Sequence, residues 1–285
     1  MRVLITGAAG LLGRQAAKEY TARGFDVYAL NKKELDISIY TSIKMAHINI
    51  RPHLVINCAA FTNVDRAETE KEEAFTINGL GPRLLAAACR RHNSTLVQIS
   101  TDHVFNGQSK SPYLISDPPD PVNLYGASKL MGEQGVRESG CRYYIIRTSW
   151  LFGPGGKNFA CAILKLAREN SAIKVVNDQQ GCPTYAPDLA RGIADLVQTG
   201  IHGAYHYTNT GATSKYDFAR KIIDTAGLKT EVEPCRTSQF PRPARRPACS
   251  VLNPFPIQHV LGYTPPTWED AVEKMGKELK APVVT

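Results

Sequence analysis

Three glycines, Gly7, Gly10 and Gly13, follow directly on the apolar run Val3-Leu4-Ile5 and lead into a helical stretch from Leu11 to Arg23. This spacing between a strand and a helix narrows the possible folds more than any other feature of the chain. The glycines allow a tight turn, close approach of the backbone to a pyrophosphate, and close packing of helix on strand. The helix N-terminus then faces the phosphates with unpaired N–H groups and the positive end of its dipole. A glycine triplet alone would also fit a structural turn; the strand–turn–helix context makes it a dinucleotide fingerprint.

The next segments repeat the same alternation. Short Val-, Ile- and Tyr-rich runs at Arg2–Thr6, Phe25–Leu30, His53–Cys58, Thr95–Ser100 and Arg142–Thr148 read as strands buried on both faces. Helical stretches lie between them: Leu11–Arg23, Ser38–Ile50, Lys71–Arg91, with a kink at Gly79, Gly81 and Pro82, and Tyr125–Ser139. The fold class expected is α/β, a doubly wound, Rossmann-like parallel sheet over residues 1–150. After Trp150 the pattern loosens into a smaller substrate lobe, residues 151–285, with helices at Asn158–Glu169, Pro187–Gln198, Lys215–Ala226 and Trp268–Leu279. Strands near residues 173–176 and 204–207 could return to the sheet, and Pro234–Pro247 reads as an ordered loop.

Composition excludes several classes. A chain of 285 residues, 43% hydrophobic and 21% charged, can bury a full core without disulfide or metal staples. Its seven Cys are odd in number and form no Cys-x-x-Cys pair, which fits a reducing, cytoplasmic setting and no structural zinc. None of the seven His stands at metal-ligand spacing, so no metal is expected. The net charge of +8 is spread over both halves with no basic stripe or tail, which argues against nucleic acid and suits a small anionic ligand. No apolar run is long enough to span a membrane, and the first one stops at Thr6-Gly7, so no signal peptide is expected.

Two further motifs carry chemistry. Strand two ends at Asn31-Lys32-Lys33, where an acidic residue would accept bonds from the ribose hydroxyls of NAD. The lysines instead favour the extra phosphate of NADP; the alternative is a solvated basic loop. Asp36 follows, within reach of an adenine edge. Tyr-x-x-x-Lys occurs three times, at Tyr28–Lys32, Tyr40–Lys44 and Tyr125–Lys129. Only the third pair follows the fourth strand and its hydroxyl-rich end, Ser100-Thr101-Asp102. On a helix, Tyr125 and Lys129 share one face, and an ammonium beside a phenol lowers its pKa and suits it to protonate a carbonyl under reduction. Ligands of such sheets bind outside the carboxyl ends of the strands, which places Thr101 against the substrate oxygen or the Tyr125 hydroxyl.

With Asn57-Cys58-Ala59-Ala60 added, these motifs resemble the extended short-chain dehydrogenase/reductases. Further blocks are similar to the dTDP-4-dehydrorhamnose reductase family: Ser100–Phe105, Pro121-x-Asn123-x-Tyr125-Gly126, Arg147–Trp150, Asn158-Phe159, Asn177–Gly181 with Pro183-Thr184, and Ala244–Pro247 with Ser250 and Leu252. They run in order over nearly the whole chain.

The resemblance implies hydride transfer from NADPH, with NADH also possible, to C4 of dTDP-4-dehydro-L-rhamnose. It implies cofactor contacts from Gly10, Leu11, Leu12, Asn31, Asp36, Ile37, Ala60, Phe61 and Thr62. It implies Tyr125 as proton donor, Lys129 as the group that lowers its pKa and holds the nicotinamide ribose, and Thr101 as the group that polarises the keto oxygen. Substrate contacts are expected from Thr101, Asp102, Val104, Trp150 and Asn158, and Arg245 offers a guanidinium fork for the diphosphate. Trp150 could equally be core, and Arg245 and Arg246 a solvated pair. The chain departs from the family at His103, where Tyr is usual, and at Asn106, where Asp is usual. Some members dimerise around magnesium through carboxylates where this chain has Gln15 and Pro187, so a monomer or a metal-free homodimer is expected. Two alternatives stay open: a reductase or epimerase of another nucleotide 4-keto sugar, and a non-catalytic regulatory subunit resembling the beta subunit of methionine adenosyltransferase.

Overall fold

The computed structural model describes residues 1–280; residues 281–285 of the expected region 151–285 lie outside them. Strands β1 (Arg2–Thr6), β2 (Asp26–Leu30), β3 (Leu54–Asn57), β4 (Thr95–Thr101) and β5 (Arg142–Thr148) stand within two residues of their expected bounds. Helices α1 (Leu11–Ala22), α2 (Tyr40–Ile50), α3 (Gly81–His92) and α4 (Leu124–Glu138) cover both faces of the sheet. β1 shows why the run is apolar throughout. Val3 and Ile5 pack with Leu12, Ala16 and Tyr20 of α1, whereas Leu4 packs on the other side with Ile43 of α2 and Leu85 of α3. Each such fully buried aliphatic side chain contributes about 1.5–3 kcal/mol.

The expected helix over 71–91 is divided. An α-helical turn at Lys71–Phe75 passes into a π-helical turn at Thr76–Leu80 before α3 begins. The inserted turn serves Asn78, which is 1% exposed. Its side chain accepts from Phe61 N and donates to Phe61 O, both at 2.9 Å, and donates to Ser128 Oγ at 3.0 Å. The loop after β3 and helix α4 are thereby tied together.

The second half supplies α5 (Phe159–Glu169), β6 (Ala172–Val176), α6 (Ala186–Thr199), β7 (Gly203–His206), α7 (Lys215–Ala226), β8 (Glu231–Cys235) and α8 (Trp268–Lys280). β7 joins the main sheet beside β5, as residues 204–207 suggested, and the parallel order is β7-β5-β4-β3-β1-β2. Residues 173–176 do not return to that sheet. β6 pairs in parallel with β8 instead, Ala172 opposite Glu231 through Val176 opposite Cys235. The burial pattern gives the reason: Ile173 and Val175 are buried while Lys174 is exposed, so only one face is covered. β8 was not expected, because Glu231, Glu233 and Pro234 are poor strand residues; they are tolerated at an exposed edge. Phe152, Tyr185, Phe218, Ile222, Trp268 and Val272 form a separate core for this lobe.

β1 lies between β2 and β3, so the strand order reverses there. In open parallel sheets that reversal opens a crevice at the carboxyl ends.

Candidate active site

A cavity of about 720 Å³ occupies this crevice. Its walls are the segments that leave each strand: Gly7–Leu12 after β1, Asn31 and Lys32 after β2, Cys58–Ala60 after β3, Thr101–His103 after β4 and Ser149–Leu151 after β5. Tyr125 and Lys129 of α4 and Lys215 of α7 complete it.

One end is built from backbone. Gly7 has φ +63°, and a Cβ there would fall 2.6 Å from Ala59 N. A Cβ on Gly13 would collide with the Gly7 carbonyl, so Gly13 serves the packing of α1 on the turn and does not line the cavity. α1 has Gly10 as its N-cap, no side-chain cap and no acidic residue in its first turn. An uncapped twelve-residue helix whose N-terminus opens on a cavity fits a dinucleotide pyrophosphate. Asn31, Lys32, Asp36, Ile37, Ala60 and Thr62 line the same end. Asp36 accepts from Ser38 N and Ser38 Oγ, and this bonding holds its carboxyl below the usual range despite partial burial. Lys32 is exposed and only 3.9 Å from Glu73, whereas Lys33 lies outside the cavity. Phe61 is also outside, buried against Ala67 and Ala74 because Asn78 holds its backbone.

The other end is built from side chains. The Tyr125 hydroxyl faces the cavity beside Thr101, whose own hydroxyl donates to Asp102 Oδ1 at 3.0 Å. Burial pushes the Tyr125 phenol up to about 12, and the nearby Thr101 hydroxyl works against this, so the proton is present at neutral pH. The lowering expected from Lys129 is not what this geometry shows. Lys129 Nζ donates to the Ile99 carbonyl at 2.6 Å, and burial pushes the ammonium down to about 8 while Glu133 pulls it up. Glu133, one helical turn further, is 1% exposed. It accepts from Ser100 Oγ and takes a two-pronged bond from Arg147 at 2.9 and 2.8 Å. Tyr125, Lys129 and Glu133 thus form one inward stripe at i, i+4 and i+8. The Tyr-x-x-x-Lys motif covers only the first two members, although the same spacing carries the third.

Asn123 organises the wall opposite. Its side-chain oxygen caps α4 by accepting from Gly126 N at 2.8 Å. Its amide nitrogen then donates to His103 Nδ1 at 3.0 Å and to the Arg245 carbonyl at 2.8 Å. Nδ1 is therefore an acceptor, and burial lowers the His103 pKa, so the ring is neutral with its proton on Nε2. The ring packs edge-on to Tyr125, 5.4 Å between centroids.

Three expected substrate contacts fall elsewhere. Val104 is fully buried with Phe105, Tyr113 and Leu252. Asn158 caps α5, accepting from Cys161 N at 3.1 Å. The Arg245 side chain is exposed and outside the cavity; only its carbonyl is engaged. In the same loop, Arg246 and Arg242 pair with Asp65 at 3.0 and 3.1 Å. Trp150 does line the cavity, with the left-handed φ of +45°. Lys215 Nζ stands 3.4 Å from the centre of its ring and 4.6 Å from that of Phe159. Nothing near Lys215 in the sequence flagged it, since it reads as the polar first residue of an amphipathic helix. Among the described residues no cluster of three or more His, Cys, Asp or Glu could hold a metal. No helix among them is long and apolar enough to cross a membrane.

Comparison with known proteins agrees with this geometry. A family model described as RmlD substrate binding domain matches residues 1–281. The chain is 39% identical to the spore coat polysaccharide biosynthesis protein SpsK of Bacillus subtilis, over 97% of both chains. It is 40% identical to a dTDP-4-dehydrorhamnose reductase of Mycolicibacterium smegmatis, over 88% of this chain and 78% of that one. Among solved structures, a dTDP-4-dehydrorhamnose reductase from Bacillus anthracis in complex with NADP superposes with a TM-score of 0.94 at 42% identity, covering 97% of this chain and 99% of that one. With its fingerprint turn, its Tyr125–Lys129 face and these relatives, the chain belongs to the RmlD family, that of the dTDP-4-dehydrorhamnose reductases.

Proposed function

We infer that the protein reduces the C4 keto group of dTDP-4-dehydro-L-rhamnose to give dTDP-L-rhamnose, using NADPH in preference to NADH. The observation that carries this reading is the meeting, in one cavity, of an uncapped glycine-rich helix start with a buried, protonated Tyr125 beside Thr101. NADPH supplies the hydride when bound; the chain's own residues do the rest. Gly7, Gly10 and the first turn of α1 take the pyrophosphate, and Lys129 takes a ribose hydroxyl. The keto oxygen sits between Thr101 and Tyr125. As the carbonyl carbon gains the hydride, the oxygen gains the Tyr125 proton, and the product is the hydroxyl. Asp102 and the Trp150 region hold the sugar. Arg242 and Arg246 pair with the Asp65 carboxylate, so Arg245 is the guanidinium of that loop left to meet a diphosphate from outside the cavity. The same reading places the enzyme in the cytoplasm, as a monomer or homodimer, without nucleic acid or membrane as partner.

The test is incubation with NADPH and dTDP-4-dehydro-L-rhamnose, following loss of reduced nicotinamide and the stereochemistry of the sugar. Stoichiometric formation of dTDP-L-rhamnose is expected. Tight cofactor binding with no turnover would favour a regulatory subunit instead.

A further inference from the structure

Lys215 is the first residue of α7, whose N-cap Ser214 accepts from Asp217 N at 3.0 Å. Its ammonium rests on the Trp150 and Phe159 rings and faces the cavity. It forms no ion pair among the described residues. The charges that act on it are Asp102, which favours the ammonium, and Arg246, which disfavours it; burial pushes its pKa down to about 7. Asp102 is 2% exposed and lines the same cavity. One of its oxygens accepts from Thr101 Oγ1 at 3.0 Å, and the other, Oδ2, is buried with no hydrogen-bond partner. A buried carboxylate oxygen without a donor is costly, and a cation held on two aromatic faces is already oriented.

We propose that Lys215 Nζ and Asp102 Oδ2 together grip one sugar hydroxyl, which donates to the carboxylate and accepts from the ammonium, and that Lys215 is thereby a specificity-determining residue. A phosphate does not suit this pair, because the Asp102 carboxylate would repel it. A hydroxyl suits it because it is donor and acceptor at once. The position of that hydroxyl follows from the chain. Asp102 adjoins and is bonded to Thr101, and Thr101 stands beside Tyr125 in the cavity, so the gripped hydroxyl lies on the ring carbon beside the keto carbon. In a 4-keto-6-deoxyhexose that is C3, since C5 carries the methyl group. The inference rests on the reductase reading and adds to it which part of the sugar is read, and by what.

The experiment crosses two substrates with three enzymes. Wild type, Lys215→Met and Lys215→Arg are each given NADPH with the dTDP-4-keto-6-deoxy sugar and with its 3-deoxy analogue. Wild type is expected to favour the hydroxylated sugar by about 10- to 100-fold in kcat/KM, the scale of a hydrogen bond to a charged group. Lys215→Met should lose most of that ratio through the hydroxylated substrate alone, and Lys215→Arg should restore part of it. NADPH and dTDP affinities, measured by calorimetry, should be the same in wild type and Lys215→Met. An unchanged ratio in Lys215→Met overturns the proposal and leaves the reductase reading standing. So does a tenfold loss of dTDP affinity, which would assign the ammonium to the diphosphate. Absence of turnover by wild type with either sugar overturns the reductase reading, and the proposal with it.

Discussion

At the cofactor end of the cavity the walls are mostly main chain; at the substrate end they are side chains drawn from four separate segments. Gly7, Gly10, Gly13 and Ala59 meet within one strand–turn–helix unit and the neighbouring strand end, and at Gly7 or Gly13 a single added carbon would collide with a backbone atom. Thr101, Tyr125, Trp150 and Lys215 come from positions spread over more than a hundred residues. A backbone cradle has few acceptable sequences and binds a ligand shared by many enzymes. A side-chain wall can be altered one residue at a time without moving the sheet, so sugar specificity resides there.

Four substitutions would break or sharpen this contrast, from the largest effect to the smallest. Tyr125→Phe removes the proton donor and little shape. Turnover is expected to fall by about 10²–10⁴-fold, with NADPH affinity nearly unchanged in a binding titration. Turnover near that of wild type would remove Tyr125 from the chemistry.

Glu133→Ala acts beneath both ends. It leaves the Arg147 guanidinium buried at 2% exposure without its carboxylate partner. Loss of one partner of such a pair costs about 3–5 kcal/mol, so denaturant unfolding should show a large drop in stability. Replacement of Glu133 and Arg147 together by apolar residues of similar size should recover much of it.

Gly13→Ala tests the cradle. The added methyl meets the Gly7 carbonyl, so α1 must shift, at a cost of about 1–3 kcal/mol. Weaker NADPH binding is expected, with dTDP binding retained. A variant that binds NADPH like wild type would show that the turn has slack.

Lys32→Ala is the mildest. Its side chain is 70% exposed, so its contact with a 2′-phosphate is worth at most about 1 kcal/mol and weakens with salt. The preference for NADPH over NADH should fall several-fold, while Lys33→Ala, outside the cavity, should change it less. Equal losses for both cofactors in Lys32→Ala would show that this lysine does not read the phosphate.

The same contrast governs what the sequence could reveal. β1 to β5 were legible because strands buried on both faces are short continuous apolar runs, and the cradle was legible because its parts are adjacent in the chain. β8 was not, since Glu231, Glu233 and Pro234 form a strand only because β6 offers an edge. The π-helical turn at Thr76–Leu80 answers to tertiary bonds of Asn78 that no local pattern announces. At the substrate end, Tyr125, Thr101 and Asp102 were readable from motif and position. Lys215 was not, because the rings it rests on, Trp150 and Phe159, lie 65 and 56 residues away. Val104 and Asn158 were drawn into the expected site by neighbouring motif residues, although burial and helix capping claim their side chains.

The central claim is that this cavity delivers a hydride to the keto carbon of a nucleotide sugar while Tyr125 protonates the oxygen. The most direct measurement uses NADPH carrying deuterium at the transferable position, dTDP-4-dehydro-L-rhamnose, and NMR of the purified product. The account predicts one deuterium at C4 of dTDP-L-rhamnose in a single stereochemical configuration, and none in a parallel reaction with Tyr125→Phe over the same interval. Deuterium at another carbon, or sugar unchanged beside fully bound cofactor, would contradict it.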